Sequence, residues 1–142
     1  MSAKSGQCLC GKVSFEAQDV KVHHHVCHCG MCRRWVGGPA FAASVGSVAW
    51  HGEGNIKRYA SSDWAERGFC GECGSSLFFY FKAGDQYYIN VGAFDDESDF
   101  TLVGEIYVDE QPPGYRFADG LPRITGDDFL AQFGGSDESG KS

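Results

Sequence analysis

The chain has 142 residues, with 12 Lys+Arg against 19 Asp+Glu for a formal charge of -7, and 42% of its residues are hydrophobic. That length suits one compact domain and is short for two, while the acidic balance works against any partner held mainly through phosphates, whether nucleic acid or an anionic membrane. The opening "MSAKSGQCLCGKV" lacks the apolar core of a secretory signal and no run of about 18 apolar residues occurs, so the expectation is a cytoplasmic protein with no nucleic-acid or membrane partner.

Residues 1–5 have little to bury and are expected to be disordered. "KVSFEA" puts Val13, Phe15 and Ala17 on one side and "VKVHHHV" puts Val20, Val22 and Val26 likewise, the period of two that marks half-buried strands. A short helical turn is expected through "MCRRWV". "AFAASV", "IKRYA", "GSSLFFYFKA", "QYYINVGAF" and "LVGEIYVD" read as further strands. Between them, "HGEGN", "AGDQ" and "DDESD" supply residues that tolerate positive φ or bond their own backbone, which favours turns. A second helical turn is expected through "TGDDFLAQF", where Thr125 or Asp127 caps and Phe129, Leu130 and Phe133 recur at helical spacing. The final "GGSDESGKS", residues 134–142, is expected to be disordered, leaving a single domain over residues 6–133. Short strands punctuated by turns, with no helical pattern long enough to connect parallel strands, point to an all-β, mainly antiparallel fold.

Seven cysteines need a reason in a reducing compartment, where clustered thiols more often bind metal than pair as disulfides. They divide as four plus three. On a strand, Cys8 and Cys10 of "CLC" face one way while Leu9 faces the other; a tight turn at "CGEC" brings Cys70 and Cys73 together. Those four thiolates make a closed tetrahedral set for a structural zinc, which would tie the N-terminal strand to the middle of the chain. The competing account, buried cysteines or a redox dithiol, lacks the βαβ context a thioredoxin-type motif would have.

The remaining three, Cys27, Cys29 and Cys32 of "VCHCGMCRRW", leave one tetrahedral position unfilled, the arrangement of a catalytic zinc with an exchangeable ligand. Three thiolates on a divalent ion leave a net negative core, which favours handling a thiol over activating water and gives Arg33 or Arg34 an electrostatic reason to stand nearby. The rival arrangement closes the site with a histidine from His23, His24, His25, His28 or His51; His28, between two ligands, is expected to point away. The aromatic residues Trp35, Trp50, Trp64, Phe78, Phe79, Phe81, Tyr87 and Tyr88 are candidates for a cleft but more ordinarily build core. Asp109 and Glu110 are candidates for proton transfer beside a turn.

"GQCLCGKVSFE", "CHCGMCRRWVGG" and "FCGECGSSL", in that order, resemble the signature of the glutathione-dependent formaldehyde-activating enzyme (GFA) family, whose fold is similar to the Mss4-like β-tent. The resemblance runs from Gly6 to "IYVDEQPPGYRFADGLP". It implies two Zn²⁺ sites: a structural one on Cys8, Cys10, Cys70 and Cys73, and a catalytic, labile one on Cys27, Cys29 and Cys32. The implied reaction is that of a carbon–sulfur lyase, adding glutathione or another small-molecule thiol to formaldehyde or a related small aldehyde, with Arg33 suited to a glutathione carboxylate. In this chain Gly30 stands where many relatives carry Ser or Thr, and Tyr115 where Trp is commoner. The alternative is a non-catalytic, zinc-stabilised binding or chaperone-like module of the Mss4-like type, with both sites closed.

Overall fold

The computed structural model describes residues 2–132. Among them the chain forms, in order, β1 (Ser2–Gln7), β2 (Ser14–Val20), β3 (His23–Cys27), α1 (Gly30–Val36), β4 (Ala40–Ser44), β5 (Ser47–His51), β6 (Ile56–Ala60), β7 (Ala65–Cys70), β8 (Ser76–Phe81), β9 (Gln86–Asn90), β10 (Thr101–Ile106) and α2 (Gly126–Ala131). The fold is all-β and mainly antiparallel, with two short helices and three 3-10 turns among the described residues.

Three strands escape a reading of hydrophobic alternation, and each has a physical reason. β1 corrects the expectation of disorder over residues 2–5, residue 1 lying outside the described residues: it pairs antiparallel with β2 from Ser2↔Val20 to Gln7↔Ser14. Its inward positions are Lys4 and Gly6, so the pattern of burial alternates but the pattern of hydrophobicity does not. Lys4 is held by Asp99 at 2.8 Å and lies 5.4 Å from the centre of the Phe100 ring, and Gly6 makes room for the Phe15 ring. β5 presents only half-buried Val48 and Trp50. β7 is interrupted by Glu66, Arg67 and Gly68, yet it is paired on both sides, with β6 and β8: Arg67 is buried with its guanidinium 5.0 Å from the Phe79 ring centre, and Gly68 pairs with Phe78, whose ring lies across it. The expected disorder of residues 134–142 and the helical position of Phe133 lie outside the described residues.

The backbone clusters into two compact units, each built from two separate stretches of chain, and the chain passes between them inside β3, inside β4 and at the start of β10. Neither unit is a contiguous segment, and we keep the single domain over residues 6–133 as a proposal. The first unit spans residues 2–24 and 42–101. It contains a three-stranded sheet, ordered β1-β2-β5, and an antiparallel run ordered β4-β9-β8-β7-β6. Val13, Phe15, Ala17, Val20, Leu77, Phe78, Ile89 and Phe94 form its core, with Cys8 and Cys70 among them. Trp50 belongs to this core, 5.2 Å from Phe15 and 5.0 Å from Phe78 between ring centres, so the aromatic candidates Trp50 and Phe78 serve packing here.

The second unit spans residues 25–41 and 102–132. β3 neighbours β10 and runs in the same direction, as the bond from Thr101 N–H to Val22 O at one end and from His28 N–H to Ile106 O at the other require. Cys29, Cys32, Ala40 and Tyr107 are buried together with Met31, Val36, Ile106 and Phe129 packed around them. α1 is short and depends on its ends: Cys29 is its N-cap, and Gly37, at φ 88°, closes it with an N–H to Arg33 O bond of 2.8 Å, a left-handed position that favours glycine. α2 begins as expected at Thr125, whose Oγ1 accepts from Asp128 N–H at 3.1 Å.

Candidate metal centres

Cys8, Cys10, Cys70 and Cys73 bring four sulfur atoms within 4.8 Å of one another in the first unit. The expected placement of Cys8 and Cys10 on a strand gives way to a turn after β1, where Leu9 projects outward at 86% exposure. Cys70 ends β7, and the "CGEC" turn carries Cys73 back towards it, with Gly74 N–H donating to Cys70 O at 2.8 Å. Backbone N–H groups then point at sulfur: Val13 to Cys8 at 3.4 Å, Glu72 to Cys70 at 3.3 Å and Cys73 to Cys70 at 3.5 Å. Such donors favour the thiolate form a metal requires.

The donor set fits zinc. A tetrahedron with Zn–S of about 2.3 Å has S···S edges of about 3.8 Å, and the Cys8–Cys10 and Cys10–Cys70 sulfurs stand 3.6 and 3.8 Å apart. The Ser75 hydroxyl at 3.2 Å and the Ser75 backbone hold the Cys73 thiol down to about 5. The Lys12 backbone bond lowers the Cys10 thiol, but desolvation and the three neighbouring sulfurs outweigh it and push it up to about 11.

In the second unit Cys27, Cys29 and Cys32 also bring their sulfurs within 4.8 Å of one another. Cys27 ends β3, Cys29 caps α1, and Cys32 lies in the first turn, with its N–H on Cys29 Sγ at 3.4 Å. Cys29 and Cys32 are buried and Cys27 half-buried. Hydrogen bonds from Cys29 and Cys32, then burial, raise the Cys27 thiol far above its ordinary range. No disulfide joins any of the seven cysteines. Among the described residues, this set of mutually close ligand atoms stops at three, and none of His23, His24, His25, His28 or His51 is in it.

His28 sits between two of these cysteines in sequence, and its ring turns away from them, as its spacing predicts. The turn leads to a buried network that sequence reasoning missed. The side chain is fully buried, with Nε2 2.8 Å from Glu105 Oε1 and Nδ1 2.7 Å from the Tyr115 hydroxyl. Glu105 Oε1 also accepts from Arg123 Nη1 at 2.6 Å. Burial, first of all, raises the Tyr115 phenol above its usual value; Arg33 opposes this and Cys27 adds to it. No spacing rule connects residues 28, 105, 115 and 123. The only available signal was a carboxylate, Glu105, inside the apolar run "LVGEIYV".

Arg33 is partly committed: Nε donates to His28 O at 2.9 Å and Nη2 to Glu110 O at 3.1 Å. The carboxylates of Asp109 and Glu110, expected as proton-transfer candidates, instead accept from backbone N–H groups: Gly126 at 2.7 Å and Gly30 at 2.7 Å respectively, each at the first residue of a helix. Arg34 is exposed on α1.

The model of the glutathione-dependent formaldehyde-activating enzyme family matches residues 3–110. An uncharacterized lyase of Schizosaccharomyces pombe is 33% identical over 132 residues, covering 92% of this chain and 96% of that protein. A crystal structure of a Rhodobacter sphaeroides protein shares the fold, with a TM-score of 0.56, 23% identity, and coverage of 85% of this chain and 99% of that one.

Proposed function

The chain belongs to the glutathione-dependent formaldehyde-activating enzyme family, and on that premise we propose that it is a zinc-dependent carbon–sulfur lyase. The proposed reaction joins a small thiol, glutathione being the candidate, to formaldehyde or a related small aldehyde at Cys27, Cys29 and Cys32. The family and the lyase relative support a glutathione-related lyase at the coarse level. The observation that carries the reading is the set of three converging sulfurs with no fourth protein ligand atom among the described residues.

Zinc bound there would supply a position for the substrate thiolate and Lewis acidity towards the aldehyde oxygen. The chain supplies the rest. Cys29 and Cys32 are held in a fixed i, i+3 relation by α1, and Cys27 approaches from the end of β3. Burial of Cys29 and Cys32 keeps the cluster from bulk water on that side. Arg33, its guanidinium plane fixed by His28 O and Glu110 O, presents Nη1 as the nitrogen outside those two bonds, and it is our candidate for a glutathione carboxylate. With sulfur and carbonyl carbon held in contact, the C–S bond forms, the thiol proton leaves to solvent, and the carbonyl oxygen takes one up; microscopic reversal gives the lyase direction. The four-cysteine set is proposed as a structural zinc site. Among the described residues no helix is long and apolar enough to cross a membrane; the cytoplasmic location remains our proposal.

Two-dimensional exchange NMR on an equilibrium mixture of formaldehyde and glutathione tests the reaction, with Cys29→Ser as the control. Zinc-loaded protein is expected to accelerate exchange between free and hydroxymethylated glutathione, and the variant is not. Equal exchange rates with protein, with variant and without either refute this substrate pair.

A further inference from the structure

The three-cysteine cluster is assembled from two different elements. Cys29 and Cys32 move together, because α1 and the Cys32 N–H to Cys29 Sγ bond hold them. Cys27 belongs to β3. The only covalent connection between the strand ligand and the helix pair is one residue, His28. A single free residue has two soft backbone torsions, enough to displace one sulfur from the other two by ångströms.

His28 is not free. Its N–H donates to Ile106 O at 3.1 Å, and its carbonyl accepts from Arg33 Nε at 2.9 Å. Its ring is tied on both sides, to Glu105 Oε1 at 2.8 Å and the Tyr115 hydroxyl at 2.7 Å. All four polar atoms of this residue are thus engaged, one by a backbone carbonyl and three by side chains. Behind the ring, Glu105 is only 2% exposed and is itself fixed by Arg123 Nη1 at 2.6 Å, while Arg123 Nη2 donates to Gln111 Oε1 at 2.8 Å. The Glu105 main chain is held as well, its N–H on Pro122 O at 2.9 Å and its carbonyl accepting from Ile124 N–H at 3.0 Å.

A buried histidine and carboxylate are costly to bring out of water, and a chain needing only an apolar filler at this place would have used one. What the network adds over a filler is direction, since each hydrogen bond fixes the ring about a different axis. Outer hydrogen-bond partners orient metal-binding residues in this way; here the oriented residue is not a ligand but the link between ligands.

We propose that His28 is a positioning residue of the three-cysteine centre: its ring, locked between Glu105–Arg123 and Tyr115, sets Cys27 against Cys29 and Cys32 at the spacing a metal needs. This rests on the reading of Cys27, Cys29 and Cys32 as a metal centre. The four-cysteine set, whose ligands include none of these residues, is the internal control.

The test titrates cobalt into metal-free full-length protein and follows the sulfur-to-cobalt absorption, then measures each site's affinity by competition with a chelator. Wild type is expected to bind two equivalents. His28→Phe, which keeps a ring but loses both ring hydrogen bonds, is expected to lower affinity at the three-cysteine site by about 10- to 100-fold and to alter its visible spectrum. The four-cysteine site should be unchanged, which a general loss of stability would not produce. Tyr115→Phe removes one bond from a half-buried side chain and should give a smaller loss at the same site. Should His28→Phe lose both sites and so fail to fold, Tyr115→Phe and Glu105→Gln carry the same comparison. Two wild-type equivalents with unchanged affinity in every folded variant overturn the proposal and leave the metal reading intact. One wild-type equivalent, abolished by Cys70→Ser but not by Cys29→Ser, overturns the metal reading and this inference with it.

Discussion

Stripping the four-cysteine site should lower the stability of the whole protein, and the size of the effect follows from where the site lies. Cys8 and Cys70 are 2% and 0% exposed and belong to the same core as Phe15, Leu77 and Phe78. The Cys10 and Cys70 sulfurs, 3.8 Å apart, are separated by 60 positions in sequence, so a metal held there joins two distant parts of the chain only when it is folded. A ligand that binds the folded state alone stabilises it by about 2.7 kcal/mol at 100 times its dissociation constant and about 4.1 kcal/mol at 1,000 times. With an unfolding entropy of about 2.1 cal/mol/K per residue, a chain of 142 residues loses about 1 °C of Tm for every 0.3 kcal/mol. The expected fall is therefore about 9 to 14 °C. The assay is differential scanning calorimetry of the Cys29→Ser protein, which lacks a complete three-cysteine set, with and without a zinc chelator; Cys70→Ser in the absence of chelator should show a fall of similar size. A melting temperature that moves by less than about 2 °C on chelation would refute the argument that this metal closes the fold, since the linkage relation permits so small a shift only when free metal stands below about twice its dissociation constant.

Gly68→Ala should destabilise by about 1–3 kcal/mol, read as a lower denaturant midpoint with unchanged slope, because the added methyl meets the Phe78 ring on the paired strand and a core this dense has no room to yield. Thr125→Ala should cost about 1 kcal/mol by removing the acceptor for Asp128 N–H at the start of α2, while Thr125→Ser should recover most of it; chemical denaturation checks both. In metal-free protein, alkylation at pH 6.5 followed by peptide mapping should label Cys73 well before Cys10. Cys73, held at about 5, is thiolate over the whole range above that pH, and its labelling should fall away only as pH drops through about 5; Cys10, raised to about 11, remains a thiol until strongly alkaline pH.

The division of the cysteines into four and three was read from their close spacings, a local property: two residues apart, or three apart around a turn, leaves little freedom in where two sulfurs can go, whereas the meeting of Cys10 with Cys70, 60 positions on, belongs to the tertiary structure. The strand from "KVSFEA" was legible from local signals, as was the Thr125 cap, since alternation and capping depend on residues within a few positions of each other. β1 and β7 were not. Their inward positions are filled by Lys4, Gly6, Arg67 and Gly68, residues whose burial is made tolerable by Asp99, by the Phe15 ring, by Phe79 and by Phe78, all of them on other strands or loops and beyond what alternation within one strand reads.

The same limit separates the two halves of the metal argument. The sequence by itself singled out the cysteines that could bind metal and left open whether a histidine completes the set of three; among the described residues the structure places none there. Only the tertiary structure decided what stands behind that set: His28 turned inward, Glu105 and Arg123 beneath it, Tyr115 above. The reason is that a hydrogen bond is made by atoms within about 3 Å of each other, and nothing in the order of residues 28, 105, 115 and 123 requires them to meet. β10 and the segment after it bring them together, through backbone bonds of His28 to Ile106 and of Glu105 to Pro122 and Ile124, and through Gln111 Nε2 donating to Tyr115 O.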